Sequence, residues 1–222
     1  MRRRGRSSKP DGHVTVQRRH SAKQEARRQR LIEAARSAFL TKGFDATTID
    51  DIVSVSGGSR GTLYIYFGGK SALYEAVVKR EAVRVVEALS AALSDASRLS
   101  SFLTAVMDVA TGEEAIALIR LVIVRCEQHD DIPDIFRQTI PILETLIVNH
   151  LWACVDFPQL PEPMRQALAD ALMMGIAQAQ LFKLTGLAGQ GDEAALSRQV
   201  IRHLSALIAA FERATTDQEG RE

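Results

Sequence analysis

The stretch of residues 47–70, TTIDDIVSVSGGSRGTLYIYFGGK, constrains the fold of this chain more than any other. Its two glycine pairs, at positions 57–58 and 68–69, each interrupt a helical pattern because glycine readily adopts the backbone angles of sharp turns. The stretch therefore predicts two short helices joined by a tight turn, then a second break before a longer helix. This is the layout of a helix-turn-helix, whose second helix enters the DNA major groove.

The first helix of the pair has a capping signal and an apolar face. Thr47 is a candidate N-cap, and Asp50 follows three residues later to return the capping hydrogen bond. Ile49, Ile52 and Val53 share one face at helical spacing.

The second helix is predicted to run from Arg60 to Phe67. Leu63 and Phe67, four residues apart, point inward together. The opposite side carries a glycine and hydroxyl groups but no acid that would repel phosphate: Gly61, Thr62, Tyr64 and Ile65. An ordinary helical hairpin has the same helix–glycine–helix layout, so it is the residue types on this side that favour DNA.

Part of the chain resembles the N-terminal domain of the tetracycline-repressor (TetR) family of bacterial regulators. The resemblance spans about fifty residues and rests on many positions at fixed spacing: residues 30–35 (RLIEAA), Phe39, Gly43, Phe44, residues 47–49 (TTI), Ile52, residues 61–64 (GTLY), Tyr66, Phe67, Lys70 and Leu73. It implies a dimeric, all-helical repressor whose second domain binds a small molecule.

The resemblance also implies roles for the matching positions. Thr47 and Thr48 would hold phosphate through the cap of the first helix of the pair. The second helix of the pair would contact bases and backbone through Arg60, Gly61, Thr62 and Tyr64. Tyr66 and Lys70 would clamp phosphate. Two positions depart from the family pattern. Gly58 replaces an apolar residue, often valine, that plugs the turn into the core, so a looser turn is expected. Ile65 replaces a polar or basic residue; it contacts a thymine methyl group or packs locally, and local packing is the favoured interpretation.

Charge is unevenly distributed along the chain. Residues 1–42 hold 13 Lys and Arg against 3 Asp and Glu, a balance of +10, whereas the whole chain carries only +1, which leaves about −9 for the remainder. A basic head on an acidic body suggests a polyanionic partner at one end. Residues 1–21 are predicted to be a disordered basic arm, which either follows DNA or serves as a solubilising tail, and residues 22–41 form the first helix.

The remaining composition predicts a cytoplasmic protein without a membrane partner. No apolar segment follows the opening arginines, so they are not a signal peptide, and no run is long enough to cross a membrane. Two cysteines in a chain of this size indicate no disulfide framework and a reducing compartment.

The predicted fold is all-α: an N-terminal three-helix helix-turn-helix domain joined by a long helix to a C-terminal helical ligand-binding and dimerisation domain. The long helix runs from Lys70 to about Ser94. The later helices are predicted at 98–110, 112–129, 132–156, 162–186 and 192–214. The domains are therefore expected at 22–70 for DNA binding and 71–214 for ligand binding and dimerisation, with a disordered tail at 215–222.

Two stripes on the last two helices are candidates for a dimer interface. Small residues recur every four positions on the first, at Ala167, Ala171, Gly175 and Ala179, and let another helix approach. Apolar residues near coiled-coil spacing mark the second, at Leu196, Val200, Leu204, Leu207 and Phe211. Two such helices from each of two subunits would form a four-helix bundle. The alternative is that both stripes face the core of their own subunit.

A pocket between helices is the expected ligand site. Its candidate lining residues are mostly large and apolar: Phe102, Met107, Arg120, Phe136, Trp152, Met174, Gln178 and Phe182. The alternative for each aromatic residue and methionine is an ordinary core position. The expected effector is an apolar or aromatic compound of moderate size, and no cofactor is predicted.

Two pairs of cysteine and histidine residues, and the catalytic motifs, bear on other functional classes. Cys126 with His129, and His150 with Cys154, have helical spacings that would suit a zinc site or thiol redox sensing, although buried cysteine and surface histidine explain them more simply. No catalytic motif is found, so an enzyme is not expected. The predicted function is a ligand-responsive repressor that binds a palindromic double-stranded operator as a homodimer. The alternatives are a ligand-binding dimer with weakened DNA recognition and a metal- or redox-sensing regulator.

Overall fold

The computed structural model describes residues 12–128, 134–154, 162–187 and 193–219, and within these ranges the regular structure is helical throughout. Nine helices lie in the described ranges: α1 (Gly12–Lys42), α2 (Ile49–Ser56), α3 (Arg60–Phe67), α4 (Lys70–Ser94), α5 (Leu99–Ala110), α6 (Glu113–Gln128), α7 (Asp134–Cys154), α8 (Glu162–Thr185) and α9 (Glu193–Glu219). The predicted all-α class is confirmed. No helix of the described part combines the length and the apolar content needed to cross a membrane.

Glycines fix the helix bounds in the helix-turn-helix segment. The bounds of α3 and α4 agree with the prediction. Gly57 and Gly68 adopt left-handed conformations, with φ of 69° and 78°, and end α2 and α3. This backbone region is accessible to glycine at little cost, so the sequence signal and the observed helix ends have the same physical origin.

Both ends of the described chain are more helical than predicted. The expectation of a disordered arm is wrong for residues 12–21, which form the beginning of α1. The expectation of a disordered tail is wrong for residues 215–219, which continue α9. Neither segment contains glycine or proline beyond the first residue of α1, and extending an existing helix costs far less than nucleating one. Residues 1–11 and 220–222 lie outside the described part.

The chain divides into two compact units, Met1–Val77 and Val78–Glu222, and the division falls inside α4. In the N-terminal unit, α1, α2, α3 and the start of α4 enclose a small apolar core. Its fully buried side chains include Leu31, Ile52, Leu63, Leu73 and Val77. Ile52 and Leu63 are the inward positions that helical spacing predicts for α2 and α3.

An aromatic cluster closes one side of the N-terminal core. The Phe44 ring lies 5.7 Å from the Phe39 ring and 5.1 Å from the Tyr74 ring, centroid to centroid. Phe39 and Tyr74 are also in edge contact at 5.4 Å. The cluster therefore joins the end of α1, the loop that follows it and the first turns of α4.

In the second unit, parts of α4, α5, α7, α8 and α9 share one core. Phe102 and Met107 of α5 are completely buried in it. Gly175 of α8 lies against α9, because a Cβ atom built at Gly175 would come within 2.6 Å of a methyl group of Val200. Close approach of these two helices within one chain therefore depends on the absence of a side chain at position 175.

Candidate nucleic-acid interface and ligand groove

Helix α2 is capped one residue later than predicted. Thr48, not Thr47, is the N-cap, and its partner is Asp51 rather than Asp50. The Thr48 amide and hydroxyl donate to an Asp51 carboxylate oxygen at 2.8 and 2.7 Å, while the Asp51 amide donates to the Thr48 hydroxyl at 3.1 Å. Lys42 also donates to Asp51, at 2.6 Å, and this hydrogen bond is the main reason why the pKa of Asp51 lies well below its usual range. Thr48 itself is exposed at the surface of the unit.

Thr47 is buried instead of facing outward. It is only 1% exposed, and its hydroxyl donates to the carbonyl oxygens of Gly43 at 2.6 Å and Ala38 at 3.2 Å. The predicted phosphate contact of the Thr47 side chain is therefore corrected, since its single hydroxyl proton is used inside the loop and no part of it reaches the surface.

Helix α3 begins with its own cap and presents one side to the exterior. The Ser59 hydroxyl accepts from the Thr62 amide at 3.2 Å and lies 2.9 Å from the Thr62 hydroxyl, which leaves Thr62 half-buried. Tyr64 is 52% exposed and Ile65 is 84% exposed. Gly61 is open to the exterior, since a Cβ atom there would meet only the Ser59 hydroxyl, at 3.9 Å. Tyr66 is half-buried beside Phe67, with ring centroids 6.3 Å apart.

Arg60 is engaged by an acid that the sequence patterns did not connect to it. Its guanidinium group makes a two-pronged ion pair with Asp50 of α2, and both side chains are more than half exposed. The hydrogen bond from Arg60 lowers the pKa of Asp50 below its usual value. Asp50 occupies the edge of the guanidinium group formed by Nε and Nη2, so a phosphate would bind through the other edge or replace the carboxylate.

Ile65 is the residue of this surface that sequence reasoning undervalued. Local packing was the favoured interpretation, but at 84% exposure its side chain packs against almost nothing within the chain. Ile65 lies one helical turn after Gly61 and directly follows Tyr64, so helical spacing already indicated that its side chain is on the outward side of α3. This exposure disfavours local packing, and the contact with a thymine methyl group stays a prediction.

Lys70 is held by backbone carbonyl groups of the loop that connects α1 to α2. Its ammonium nitrogen donates to the carbonyl oxygens of Phe44 at 2.9 Å, Thr47 at 3.0 Å and Asp45 at 3.3 Å. The same nitrogen lies 4.4 Å from the centre of the Phe44 ring. Lys70 is half-buried, whereas the predicted phosphate clamp needs an ammonium group that is free to reach a ligand.

At Gly58, where a looser turn is predicted, the space next to the backbone is large enough for a methyl group. A Cβ atom at Gly58 would lie 3.6 Å from a methyl group of Leu31 and 3.3 Å from the Ser56 hydroxyl, which can rotate away.

We therefore expect Gly58→Ala to raise the free energy of unfolding by about 0.4–1 kcal/mol, because alanine restricts the unfolded chain. The melting temperature measured by circular dichroism checks this. Gly57→Ala is the matched control and is expected to lower it, since Gly57 has a φ of 69°. A lower melting temperature for Gly58→Ala would contradict the expectation.

None of the predicted ligand-lining residues that the structure describes lies in the groove that it shows between α4 and α5. Phe102 and Met107 are core residues, Met174 is 73% exposed, and Arg120 and Gln178 are also exposed. Trp152 is partly buried against the core with Arg165 over its ring, and Phe182 is half-buried. The side chain of Phe136 lies outside the described part. Phe102 and Met107 thus follow the alternative of ordinary core positions, and a pocket lined by the remaining residues stays a prediction.

A groove of about 680 Å³ lies between α4 and α5 in the second unit. Small side chains of both helices form its floor, and hydroxyl and carboxylate groups stand at its edge: Val85, Ala88, Ala92, Ser100, Ser101, Thr104, Ala105, Asp108, Val109, Gly112 and Glu114. Its size suits a small molecule. Sequence reasoning missed it because small residues in a helix carry no ligand signal of their own.

The possible metal site is only partly within the described residues. The Cys154 thiol donates to the carbonyl oxygen of Ala96 at 3.2 Å, and burial raises its pKa, which disfavours the reactive thiolate. A ring nitrogen of His150 lies 3.2 Å from the carbonyl oxygen of Leu146 in its own helix. The side chain of Cys126 and all of His129 lie outside the described part. Among the described residues, no group of three or more potential ligands is arranged to hold a metal ion.

Sequence comparison links the N-terminal unit to known regulators. Residues 31–77 match the family model described as bacterial regulatory proteins, tetR family. The chain is 33% identical over 63 residues to the HTH-type transcriptional repressor AcnR of Corynebacterium efficiens, a match that covers 28% of the chain and 34% of AcnR. It is 40% identical over 63 residues to the HTH-type transcriptional regulator TtgR of Pseudomonas putida, covering 28% of the chain and 30% of TtgR. These relatives are thus matched over about a third of their own length.

Structural comparison extends the likeness beyond those residues. The crystal structure of a TetR-family transcriptional regulator from Streptomyces coelicolor matches with a TM-score of 0.64 at 18% identity. The match covers 83% of this chain and 95% of that one. At this identity the likeness establishes a shared helical fold.

Proposed function

We propose that this chain, a member of the tetR family of bacterial regulatory proteins by its residues 31–77, regulates transcription by binding double-stranded DNA. The observation that carries the proposal is the outward side of α3, where Gly61, Tyr64 and Ile65 are exposed at the surface of the unit. A helix-turn-helix reads base edges in the major groove with this side of its second helix.

The surface divides into positions that would read bases and positions that would hold the backbone. Tyr64 and Ile65 supply a phenol group and an apolar contact for base edges, and Gly61 lets the helix backbone approach closely. Thr48, at the exposed N-terminus of α2, and Arg60, through the guanidinium edge that does not bind Asp50, would contact phosphate. Thr62 and Tyr66, which are half-buried, contribute hydroxyl groups at the border of the surface.

The repressor would act as a homodimer through exposed apolar residues of α8 and α9. Met174 and Leu181, seven residues apart on α8, are 73% and 56% exposed, and Leu207 of α9 is 44% exposed. The predicted stripes are corrected in part: Val200 and Leu204 are buried in the core of their own chain and Gly175 and Ala179 pack there too, whereas Ala167 and Leu207 are exposed. The side chains of Leu196 and Phe211 lie outside the described part. A second copy of the chain fits this face because its apolar residues would pair with their own counterparts about a two-fold axis.

The effector would bind the groove between α4 and α5. The groove combines an apolar floor with hydroxyl groups and the carboxylates of Asp108 and Glu114, so it suits a compound with an apolar body and hydrogen-bond donors. The effector would release the protein from DNA if it binds more tightly to a conformation whose two recognition helices are wrongly spaced for the operator. The coupling free energy between effector binding and DNA binding would be about 1–3 kcal/mol.

Selection of duplexes from a randomised pool, followed by titration over a salt series, tests the proposal. We expect the selected duplex to bind at least about a thousand-fold more tightly than random duplex. We also expect log K to fall linearly with log salt, since phosphate contacts release counterions. Equal, weak binding to both duplexes would contradict it. That outcome would favour the alternative of a ligand-binding dimer with weakened DNA recognition.

A further inference from the structure

We propose that Lys70 is a positioning residue that joins the loop before α2 to the end of the helix-turn-helix after α3. Its ammonium group does not contact phosphate. This inference rests on the proposed DNA-binding function only for the role of the helix pair. The contacts that carry it lie entirely within the N-terminal unit and need no DNA.

The hydrogen bonds of Lys70 matter because this residue directly follows the helix-turn-helix in the chain. The segment that contains α2 and α3 enters from the loop at residues 43–48 and leaves at residue 69, immediately before α4. Lys70, the first residue of α4, donates to three carbonyl groups of that entry loop. One side chain thus joins the entry and the exit of the helix pair across 23–26 residues of sequence.

The number of donors matches the number of acceptors. A lysine ammonium group has three N–H donors, and each has one carbonyl partner here, at 2.9, 3.0 and 3.3 Å. The face of the Phe44 ring, 4.4 Å away, adds a further attraction for the charge. A phosphate contact would require Lys70 to abandon these partners and leave carbonyl groups of a partly buried loop without a donor.

Thr47 completes the arrangement from inside the loop. Its buried hydroxyl joins the loop to the end of α1 through Ala38 and Gly43, and its own carbonyl group accepts from Lys70. Lys70, Thr47 and the rings of Phe39, Phe44 and Tyr74 therefore fix α1, the loop and α4 to one another. Displacement of the loop would tilt α2, and with it α3.

Lys70→Met keeps the length and the apolar stem of the side chain but removes the charge and all three donors. We expect its melting temperature without DNA to fall by at least about 5 °C. Lys23→Met removes the same charge from an exposed position of α1 and is expected to change it by less than about 2 °C. An unchanged melting temperature for Lys70→Met would overturn the proposal.

Duplex binding below the melting temperature separates positioning from simple stability. For Lys70→Met we expect the preference for selected over random duplex to fall at least about ten-fold, while the slope of log K against log salt stays unchanged. A lost phosphate contact would instead reduce that slope by about 0.9 for each copy of the residue and weaken both duplexes equally. A reduced slope would overturn the proposal, whatever happens to the melting temperature.

Lys70→Arg decides the matter if Lys70→Met fails to fold. It retains the charge, so a phosphate contact predicts near-normal binding and stability. A planar guanidinium group cannot aim three donors at converging carbonyl groups, so we expect the melting temperature of Lys70→Arg to fall as well. Wild-type stability and salt slope in Lys70→Arg would overturn the proposal. The thermal measurements keep this test independent of the proposed function, because they hold even if the chain selects no duplex at all.

Discussion

Replacing Tyr64 with alanine is expected to cause a large loss of selective DNA binding while leaving the chain folded. Tyr64 is the largest side chain on the outward side of α3, and more than half of its surface is exposed. Base contacts are typically worth about 1–3 kcal/mol each, and a dimer would carry two copies, so the loss should be about thirty-fold or more. Titration of the selected duplex and of random duplex, at one salt concentration, measures it.

Matched variants identify the part of Tyr64 that matters. Tyr64→Phe removes only the hydroxyl group, so retained selectivity would assign the contact to the ring, and lost selectivity would assign it to a hydrogen bond. Binding to random duplex should persist in both variants because it depends mainly on phosphate contacts. Melting temperatures should stay close to that of the wild type, since few core contacts are removed. A Tyr64→Ala protein that still selects the same duplex at full strength would remove Tyr64 from the interface.

The helix-turn-helix could be predicted so closely because its determinants are local. Gly57 and Gly68 end α2 and α3 through left-handed backbone conformations, and this property belongs to the residue itself. The burial of Ile52 and Leu63 follows from helical spacing alone, since an amphipathic helix has only one apolar side to turn inward. Such features are legible without knowledge of the rest of the chain.

The cap of α2 shows where local rules fail to discriminate. Thr47 and Thr48 are each followed three residues later by aspartate, so the capping signal fits both registers equally. The choice depends on distant groups. Thr47 turns inward to the carbonyl groups of Ala38 and Gly43, and Lys42 reaches Asp51 across nine residues. Contacts with α1 decide which threonine caps α2, so the sequence of the first turn of α2 does not reveal the choice.

The partners of Arg60 and Lys70 are also products of tertiary structure. Asp50 reaches Arg60 only because the turn brings α2 and α3 together, and the acceptors of Lys70 lie in a loop that precedes both helices. The family pattern assigns Arg60 to bases and backbone, and Lys70 to phosphate, by position. It contains no information about acceptors within the fold that compete for the same donors.

On α8, periodicity identified small and apolar residues without showing which neighbour they face. Gly175 is in the predicted stripe, but the helix that approaches it is α9 of the same chain, through Val200. The alternative that sequence reasoning left open, a stripe facing its own core, is the observed one for Gly175 and Ala179. The residues left for a partner are the exposed Met174 and Leu181, which lie on another side of the helix.

A double variant, Met174→Glu with Leu181→Glu, is expected to convert the dimer into monomers. Association would place each glutamate in an apolar contact, where an unpaired charge is strongly unfavourable. Sedimentation equilibrium should then give the mass of one chain, 24.4 kDa, whereas we expect twice that mass for the wild type. Circular dichroism should remain helical, because neither side chain contributes much to the core of its own chain.

DNA binding gives an independent measure of the same change. Linking two binding modules raises affinity by about 10²–10⁴-fold, so the monomeric variant should bind a duplex with two half-sites at least about a hundred-fold more weakly. On a duplex with one half-site, wild type and variant should bind alike. Ile142→Glu is the control: Ile142, on α7, is 51% exposed and lies outside the proposed face, so the dimer should persist. If the double variant kept the mass of two chains while Ile142→Glu became monomeric, the interface would belong to α7 instead of α8.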